Sequence, residues 1–446
     1  MTSQYITFLC NGAVPPKKRG KKQNEANEAK CLNYDQQDSN LTLSLPKLRL
    51  ALTHISPRLV DLLEIASYTF CGDRLTSRGT AYQEHHDSWT RKLKFMIKVR
   101  DVDFWTGPVQ NIITELLAFA TGDAEITYEF QAKNGDMQCS LFDSGEFAFP
   151  SDTKTKIALF SGGLDSLSGA VDILESTQDS LCLVSHDSGN TGTHRTQKKL
   201  IGALQEKFGE NRIAHYPFVC KLKISENKAV EETQRSRIFL YSSIAFTLAT
   251  TYQLDYFYIF ENGVTSLNFP KRQDMNRGRA SRTTHPKTIH LLERLFSTIS
   301  EAKFQIVTPF YNKTKADIVK ILLNSSQGDL ISSSVSCAHT RMNSRTATHC
   351  GCCNQCVDRR IATFASGLHE KGIYDIDFLE NPLNKEGTTI VIDYFNFISQ
   401  VHQMSLTDFC CSFANELADA LFHLPQSEHH SRTAEIYQLF EDHSQT

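Results

Sequence analysis

The residues with the clearest chemical meaning are Ser161-Gly162-Gly163-Leu164-Asp165-Ser166. They sit between an apolar run, Lys156–Phe160, and a segment carrying Leu164, Leu167, Val171 and Leu174 at helical spacing. In that place two glycines let the backbone turn sharply and bring its N–H groups close to an anion. The helix start adds unpaired donors and positive partial charge. Ser161 and Ser166 can offer hydroxyls to phosphate oxygens. The Asp165 carboxylate cannot bind phosphate directly, so its expected role is to hold Mg²⁺ or to orient the loop. The turn has no lysine and the chain lacks G-x-x-x-x-G-K-[ST], which excludes a Walker A loop.

A second constellation is made of thiols. Cys337 is followed by Cys350, Cys353 and Cys356, the last three spaced C-x-x-C-x-x-C. Four thiolates complete a closed tetrahedral Zn²⁺ site, which leaves no open position and is therefore structural. Cys352 is a fifth candidate, able to displace a neighbour. The chain has 13 cysteines, an odd number, and Cys182 and Cys220 lie in apolar runs, as reduced buried thiols do. With no export signal visible, a disulfide framework is not expected.

The elements that must position these groups follow from period and composition. At 446 residues, with 40% hydrophobic and 22% charged residues, the chain reads as a soluble globular protein of more than one domain. The net charge of -3 gives no global attraction to nucleic acid, and neither a signal peptide nor a membrane span is seen, so a cytoplasmic location is expected. Leu93, Phe95, Ile97 and Val99 alternate with Lys94, Met96 and Lys98, as do Ile126, Tyr128 and Phe130 with their neighbours, marking half-buried strands. Residues 1–150 thus read as an N-terminal α+β domain with antiparallel character, containing a basic loop at Lys17–Lys22 and ending at Pro150-Ser151-Asp152. Asp73-Arg74, Trp89-Thr90-Arg91 and Phe104-Trp105 are candidates for a partner-binding surface on it.

From residue 151 the texture changes. Apolar runs alternate with helical segments up to about residue 370, which implies an α/β domain with a doubly wound parallel sheet. Residues 371–446 read as a polar helical extension. Ligands of such sheets bind beyond the carboxyl ends of strands. Glu261 and Asn262, at the end of the run Tyr256–Phe260, are therefore candidate substrate contacts. Asn268 and Phe269 follow, the phenyl ring suited to stacking on a base.

S-G-G-x-D-S resembles the PP-loop of the N-type ATP pyrophosphatases, which include asparagine and GMP synthetases, tRNA thiolases and QueC-type 7-cyano-7-deazaguanine synthases. The likeness extends to Ile306–Val319, to Ser336-Cys337 and to Cys350-Gly351-Cys352-Cys353-Asn354-Gln355-Cys356, which match a QueC-type Ser-Cys followed by C-G-x-C-x-x-C. It covers residues about 156–370; the added N-terminal segment makes the chain similar to the longer QueC-like proteins of anti-phage defence operons, the Qat type, QatC-like. The resemblance implies an adenine nucleotide alpha hydrolase-like fold and ATP with Mg²⁺ as cofactors, with Lys315 reaching toward phosphate and acting with Asp165 in catalysis, and Arg237 (with Arg235) near the nucleotide. It favours zinc over an iron–sulfur cluster at the thiols. It also implies that a 7-carboxy-7-deazaguanine-like carboxylate attacks the α-phosphate, releasing pyrophosphate, and that ammonia or a protein amine then displaces AMP to give an amide; with ammonia, a second activation of that amide gives the nitrile. Residues 1–150 would present a protein acceptor or a defence-operon partner. In place of the family's Tyr-Pro-Asp-Cys element this chain has Asn268-Phe269-Pro270-Lys271-Arg272, which removes the Asp expected at a guanine edge. Two alternatives stay open: a catalytically silent nucleotide-binding scaffold of a defence complex, and a PP-loop tRNA-modifying enzyme.

Overall fold

Alternating apolar residues in the N-terminal third make strands β1 (Ile6–Cys10), β2 (Lys30–Leu32), β4 (Lys92–Val99) and β5 (Glu125–Ala132). A computed structural model of the chain describes residues 5–15, 29–34, 39–45, 55–78, 90–133, 154–187, 189–223, 231, 235–270, 282–339, 347–383 and 385–446. The basic cluster Lys17–Lys22, Trp89 and the boundary Pro150–Asp152 fall outside these residues.

The four strands form a sheet in the order β2-β1-β4-β5, and each pair in it is parallel. This corrects the expected antiparallel, α+β character. Two strands can run the same way only if the connection carries the chain back to the starting edge. Helix α2 (Gln110–Thr121) does so between β4 and β5, and α1 (Pro57–Arg74) lies between β1 and β4 in sequence. Ser56 caps α1 through its side chain, which accepts from the Leu59 N–H, and Pro57 opens the helix.

β3 (Leu41–Leu43) leaves this sheet and becomes the antiparallel edge of a second one, pairing with β8 (Ile213–Leu222). The second sheet also contains β6 (Thr155–Leu159), β7 (Ser180–Asp187), β9 (Tyr256–Tyr258) and β10 (Gln305–Val307), in the order β10-β9-β6-β7-β8-β3. All its pairs except β3–β8 are parallel. The chain moves from β6 outward through β7 and β8, then returns to the other side of β6 for β9 and β10. Successive side chains of a strand point to opposite faces. Ile157, Leu159, Cys182 and Val184 enter one core, while Ala158, Phe160, Leu181 and Leu183 enter another. Both faces are apolar, so both must be covered. Helices α3 (Leu164–Ser176), α4 (Thr191–Phe208) and α8 (Lys315–Asn324) cover one face. Helices α5 (Arg237–Thr251) and α7 (Pro286–Ser300) cover the other; between them in sequence lies the short helix α6 (Gly263–Leu267).

Residues of the first sheet and of α1 share the core of α5 and α7. β3 crosses from the first 150 residues into the second sheet, and residues of both sheets share one core. A buried ion network ties the same seam. Arg91 pairs with Asp73 and Asp123, each at 2.6 Å, Arg78 with Asp123 at 2.9 Å, and the Ser236 hydroxyl donates to Asp73 at 2.7 Å. Asp73, Arg74, Arg91 and Trp105, expected on a partner-binding surface, are interior. Asp73 and Arg91 pair with each other, and the Trp105 indole donates to Asp61, the condition under which such groups can be buried.

Beyond the sheets, α9 (Asn354–Ala365) follows the thiols, and helices α10 (Lys385–Gln403), α11 (Leu406–Ser412), α12 (Ala414–Leu421) and α13 (Gln426–Ser444) build a third core. Among the described residues no helix is long and apolar enough to cross a membrane.

Candidate active site

The loop that leaves β6 emerges where the strand order reverses. Gly162 has φ +82°, a left-handed conformation that favours glycine. The Ser161 hydroxyl accepts from the Gly163 N–H at 3.2 Å, and the Ser166 hydroxyl donates to the Gly163 carbonyl at 3.0 Å. No side chain caps α3 at Gly163. First-turn N–H groups have no acceptor inside their own helix. That of Leu164 donates to the Ser336 hydroxyl at 3.3 Å, and those of Asp165 and Ser166 stand beside the loop where an anion is favoured.

Asp165 in that first turn is buried. Its Oδ1 accepts from Lys315 Nζ at 2.7 Å, and its Oδ2 accepts from the Asn262 N–H at 3.0 Å and Asn262 Nδ2 at 2.8 Å. Each partner is fixed by its own element. Thr314 and Asp317 form a reciprocal cap at the start of α8, which places Lys315 at its first position. Asn262 caps α6, its Oδ1 accepting from the Thr265 N–H at 3.0 Å. Burial by itself would push the Asp165 carboxyl up. The Lys315 charge, with hydrogen bonds from Glu261, Lys315 and the Asn262 N–H, outweighs it and holds the carboxyl below its usual range. Burial also disfavours the Lys315 charge, but Asp165, Asp358 and Glu261 together raise its pKa. Burial and the neighbouring Asp165 charge push the Glu261 carboxyl well above its usual range.

Four thiols meet beside this cluster. The Sγ atoms of Cys337, Cys350, Cys353 and Cys356 lie within 4.8 Å of one another, with Cys350 and Cys356 3.8 Å apart. A tetrahedron with Zn–S bonds of about 2.3 Å has sulfur–sulfur edges of about 3.8 Å, so the cluster fits such a metal. The Cys350 N–H points at Cys337 Sγ (3.5 Å) and the Cys353 N–H at Cys350 Sγ (3.4 Å), donors suited to thiolates. Gly351 makes the turn possible: with φ +80°, a Cβ there would stand 1.7 Å from the Ile376 carbonyl oxygen. Cys352 is outside the group of four, its Sγ 3.8 Å from Cys350 Sγ.

The thiols and the phosphate-type loop are joined by two residues. The Val335 N–H donates to the Gly162 carbonyl at 3.0 Å, and Ser336, next to Cys337, receives the Leu164 N–H. Arg359, fully buried on α9, holds the segment before Cys337 through the Ser334 carbonyl (3.1 Å) and the Ile331 carbonyl (2.7 Å), and pairs with Glu370 at 2.6 Å. Sequence reasoning missed Ser336, Arg359 and Asp358 as parts of this assembly. Ser336-Cys337 and the position of Arg359 three residues after Cys356 were the available signals.

Several candidate residues are engaged within the fold. Asn262 is fully buried and its amide is engaged by Asp165 and Thr265. Phe269 is interior, with ring centroids 4.7 Å from Phe440 and 5.1 Å from Phe413, and does not present a stacking face. Asn268 ends α6 in a left-handed conformation, φ +46°. Both Asp165 oxygens accept hydrogen bonds from neighbouring elements, an arrangement that orients the loop. The Arg237 guanidinium lies 5.4 Å from the Tyr241 ring centroid on its own helix. Arg235 is buried in the seam, donating to the Thr121 carbonyl.

Residues 234–367 match the family described as "Queuosine biosynthesis protein QueC". This part of the chain is QueC-like. The QueC-like segment contains Asn262, Lys315, Ser336 and all four clustered thiols, whereas Ser161–Ser166 lies before it. The fold attaches the loop to the QueC-like segment through Asp165–Lys315, Asp165–Asn262 and Leu164–Ser336. No curated protein matches the chain. A solved structure, a ketoreductase domain from the bacillaene assembly line, aligns at 8% identity over 69% of this chain and 80% of that one, with a TM-score of 0.18, too low to carry any argument.

Proposed function

We propose that the chain is an ATP-dependent carbon–nitrogen ligase that forms AMP and pyrophosphate on a PP-loop domain with a doubly wound sheet. The carrying observation is the Lys315–Asp165 pair, 2.7 Å long, at the helix start that follows the Ser161–Ser166 loop. Preorganised donors around developing negative charge are a large source of rate enhancement. In this reading the loop N–H groups and Ser161 and Ser166 hold the pyrophosphate portion of ATP. Lys315, kept charged by its acidic neighbours, stabilises the charge that grows as the α–β bond breaks. Asp165 orients that lysine, and Mg²⁺ arrives with the nucleotide's phosphates.

The acid activated is a 7-carboxy-7-deazaguanine-like carboxylate, supported by the QueC match of residues 234–367. Ammonia or a protein amine then displaces AMP, and residues 1–150 present the partner, in the setting of anti-phage defence and the cytoplasm. The four thiols hold Zn²⁺, whose closed sulfur shell supplies folding energy and no chemistry. The test is direct: the full chain with ATP, Mg²⁺, the carboxylate and ammonia should release pyrophosphate and form AMP in equal amounts. ATP binding without pyrophosphate release, with and without added amine, would overturn the ligase reading. Mass spectrometry of co-expressed operon proteins, searching for an added deazaguanine-sized mass, separates a protein acceptor from ammonia.

A further inference from the structure

The C-terminal helices lie outside the QueC-like segment, yet they reach its buried interior. Asp358 is the fifth residue of α9, two residues after Cys356, and α9 packs against α8, which carries Lys315. The Tyr394 hydroxyl of α10 donates to Asp358 Oδ1 at 2.9 Å. Its oxygen is also 3.1 Å from His443 Nε2 on α13. Since the hydroxyl hydrogen is directed to the carboxylate, the imidazole supplies the second hydrogen, from Nε2–H to the tyrosine oxygen. Tyr394, His443 and Asp358 are all buried. A chain of three polar side chains running through an otherwise apolar helical layer is costly unless each member is satisfied. Asp358 is near enough for its charge to act on both Lys315 and Glu261.

We infer that the C-terminal helices complete the nucleotide site: Tyr394, backed by His443, is a positioning residue that fixes Asp358 behind the Asp165–Lys315 pair. The inference rests on the nucleotide-binding half of the proposed function and not on the ligation step. The same helices close over the segment after Asn262, because Phe269 packs into Phe409, Phe413 and Phe440. Residues of the extension are thereby held against both sides of the cluster: at Asp358, and at the segment that follows the Asp165 partner Asn262.

The experiment measures binding of the Mg²⁺ complex of an α,β-methylene ATP analogue by calorimetry to the full chain, with zinc content and melting temperature determined on the same samples. Tyr394→Phe removes the hydrogen bond to Asp358 and should weaken the analogue about tenfold, with zinc content unchanged and the chain still folded at the assay temperature. His443→Ala should weaken it less, and His443→Gln, which keeps a side-chain N–H donor, should restore it. Wild-type affinity in Tyr394→Phe overturns the inference, as does a loss that only tracks lost zinc or unfolded protein. If Tyr394→Phe melts early, the His443→Ala and His443→Gln pair decides: equal affinities overturn the inference, and rescue by glutamine supports it. Analogue binding by the wild type without pyrophosphate release sinks the ligase reading alone. No nucleotide binding by the wild type sinks both.

Discussion

Lys315 Nζ lies 2.7 Å from Asp165 Oδ1, joining the first turn of α8 to the first turn of α3 across 150 residues of sequence. Both side chains are nearly inaccessible, at 3% and 6% exposure. Breaking one partner of such a pair leaves an uncompensated buried charge and costs about 3–5 kcal/mol. Lys315→Met should therefore lower urea stability by that amount and reduce pyrophosphate release by a factor of about 10² to 10³. The double variant Asp165→Asn, Lys315→Met should recover much of the stability and none of the activity. Stability lost in both variants equally would show that the pair has no special role.

The thiol cluster predicts a stability effect separate from chemistry. A structural Zn²⁺ site contributes on the order of 10 kcal/mol to folding. Cys353→Ser should yield insoluble or zinc-free protein, read by elemental analysis and thermal melting. Cys352→Ser should keep one zinc per chain, because Cys352 stands outside the four. A soluble, zinc-free and fully active Cys353→Ser protein would contradict the assignment.

Acid should weaken the fold through His215. Its Nε2 lies 2.9 Å from the Ser185 hydroxyl, which donates in turn to the Phe160 carbonyl just before the loop. Burial, then the neighbouring His194, pushes His215 down to about 4. An unfolded histidine titrates at about 6.5, so on acidification the unfolded chain takes up the proton first. The contribution is fully present above about pH 6.5 and is lost as pH falls toward 4. Urea midpoints should be flat between about pH 7 and 8 and fall below about 6.5, and His215→Gln should reduce that slope. An identical slope in the variant would place the acid sensitivity elsewhere.

Phe269 separates packing from recognition. As an interior ring among Phe409, Phe413 and Phe440, its change to Ala should cost about 3–5 kcal/mol, seen as early exposure of the C-terminal helices in hydrogen exchange. Affinity for the carboxylate per folded molecule should stay within about twofold, since RT ln 2 is only about 0.4 kcal/mol. A large specific loss of that affinity, with exchange unchanged, would return the ring to the substrate.

Much of the second sheet was legible because its signals are local. Lys156–Phe160 followed by two glycines and an amphipathic segment makes a strand, turn and helix within 21 residues, from Lys156 to Ser176. Ser56-Pro57 marked the start of α1 for the same reason. The direction of the first sheet was not legible, because a strand's alternation is the same whether its neighbour is parallel or antiparallel. Nor was the placement of Phe269. An aromatic residue after a strand end can stack on a ligand or fill a core, and only the helices more than a hundred residues later decide which.

By itself, the sequence determined the chemistry available: an anion-binding turn without a Walker lysine, thiols at metal spacing, and apolar runs that must be buried on both faces. The tertiary structure decided which groups meet. It brought Lys315 and Asn262 to Asp165, Ser336 to Leu164, and Tyr394 with His443 to Asp358. These contacts join residues far apart in the chain, and their energies depend on burial and on the partner's charge. Neither quantity is a property of a local stretch of sequence, so neither exists until the sheets and helices have packed.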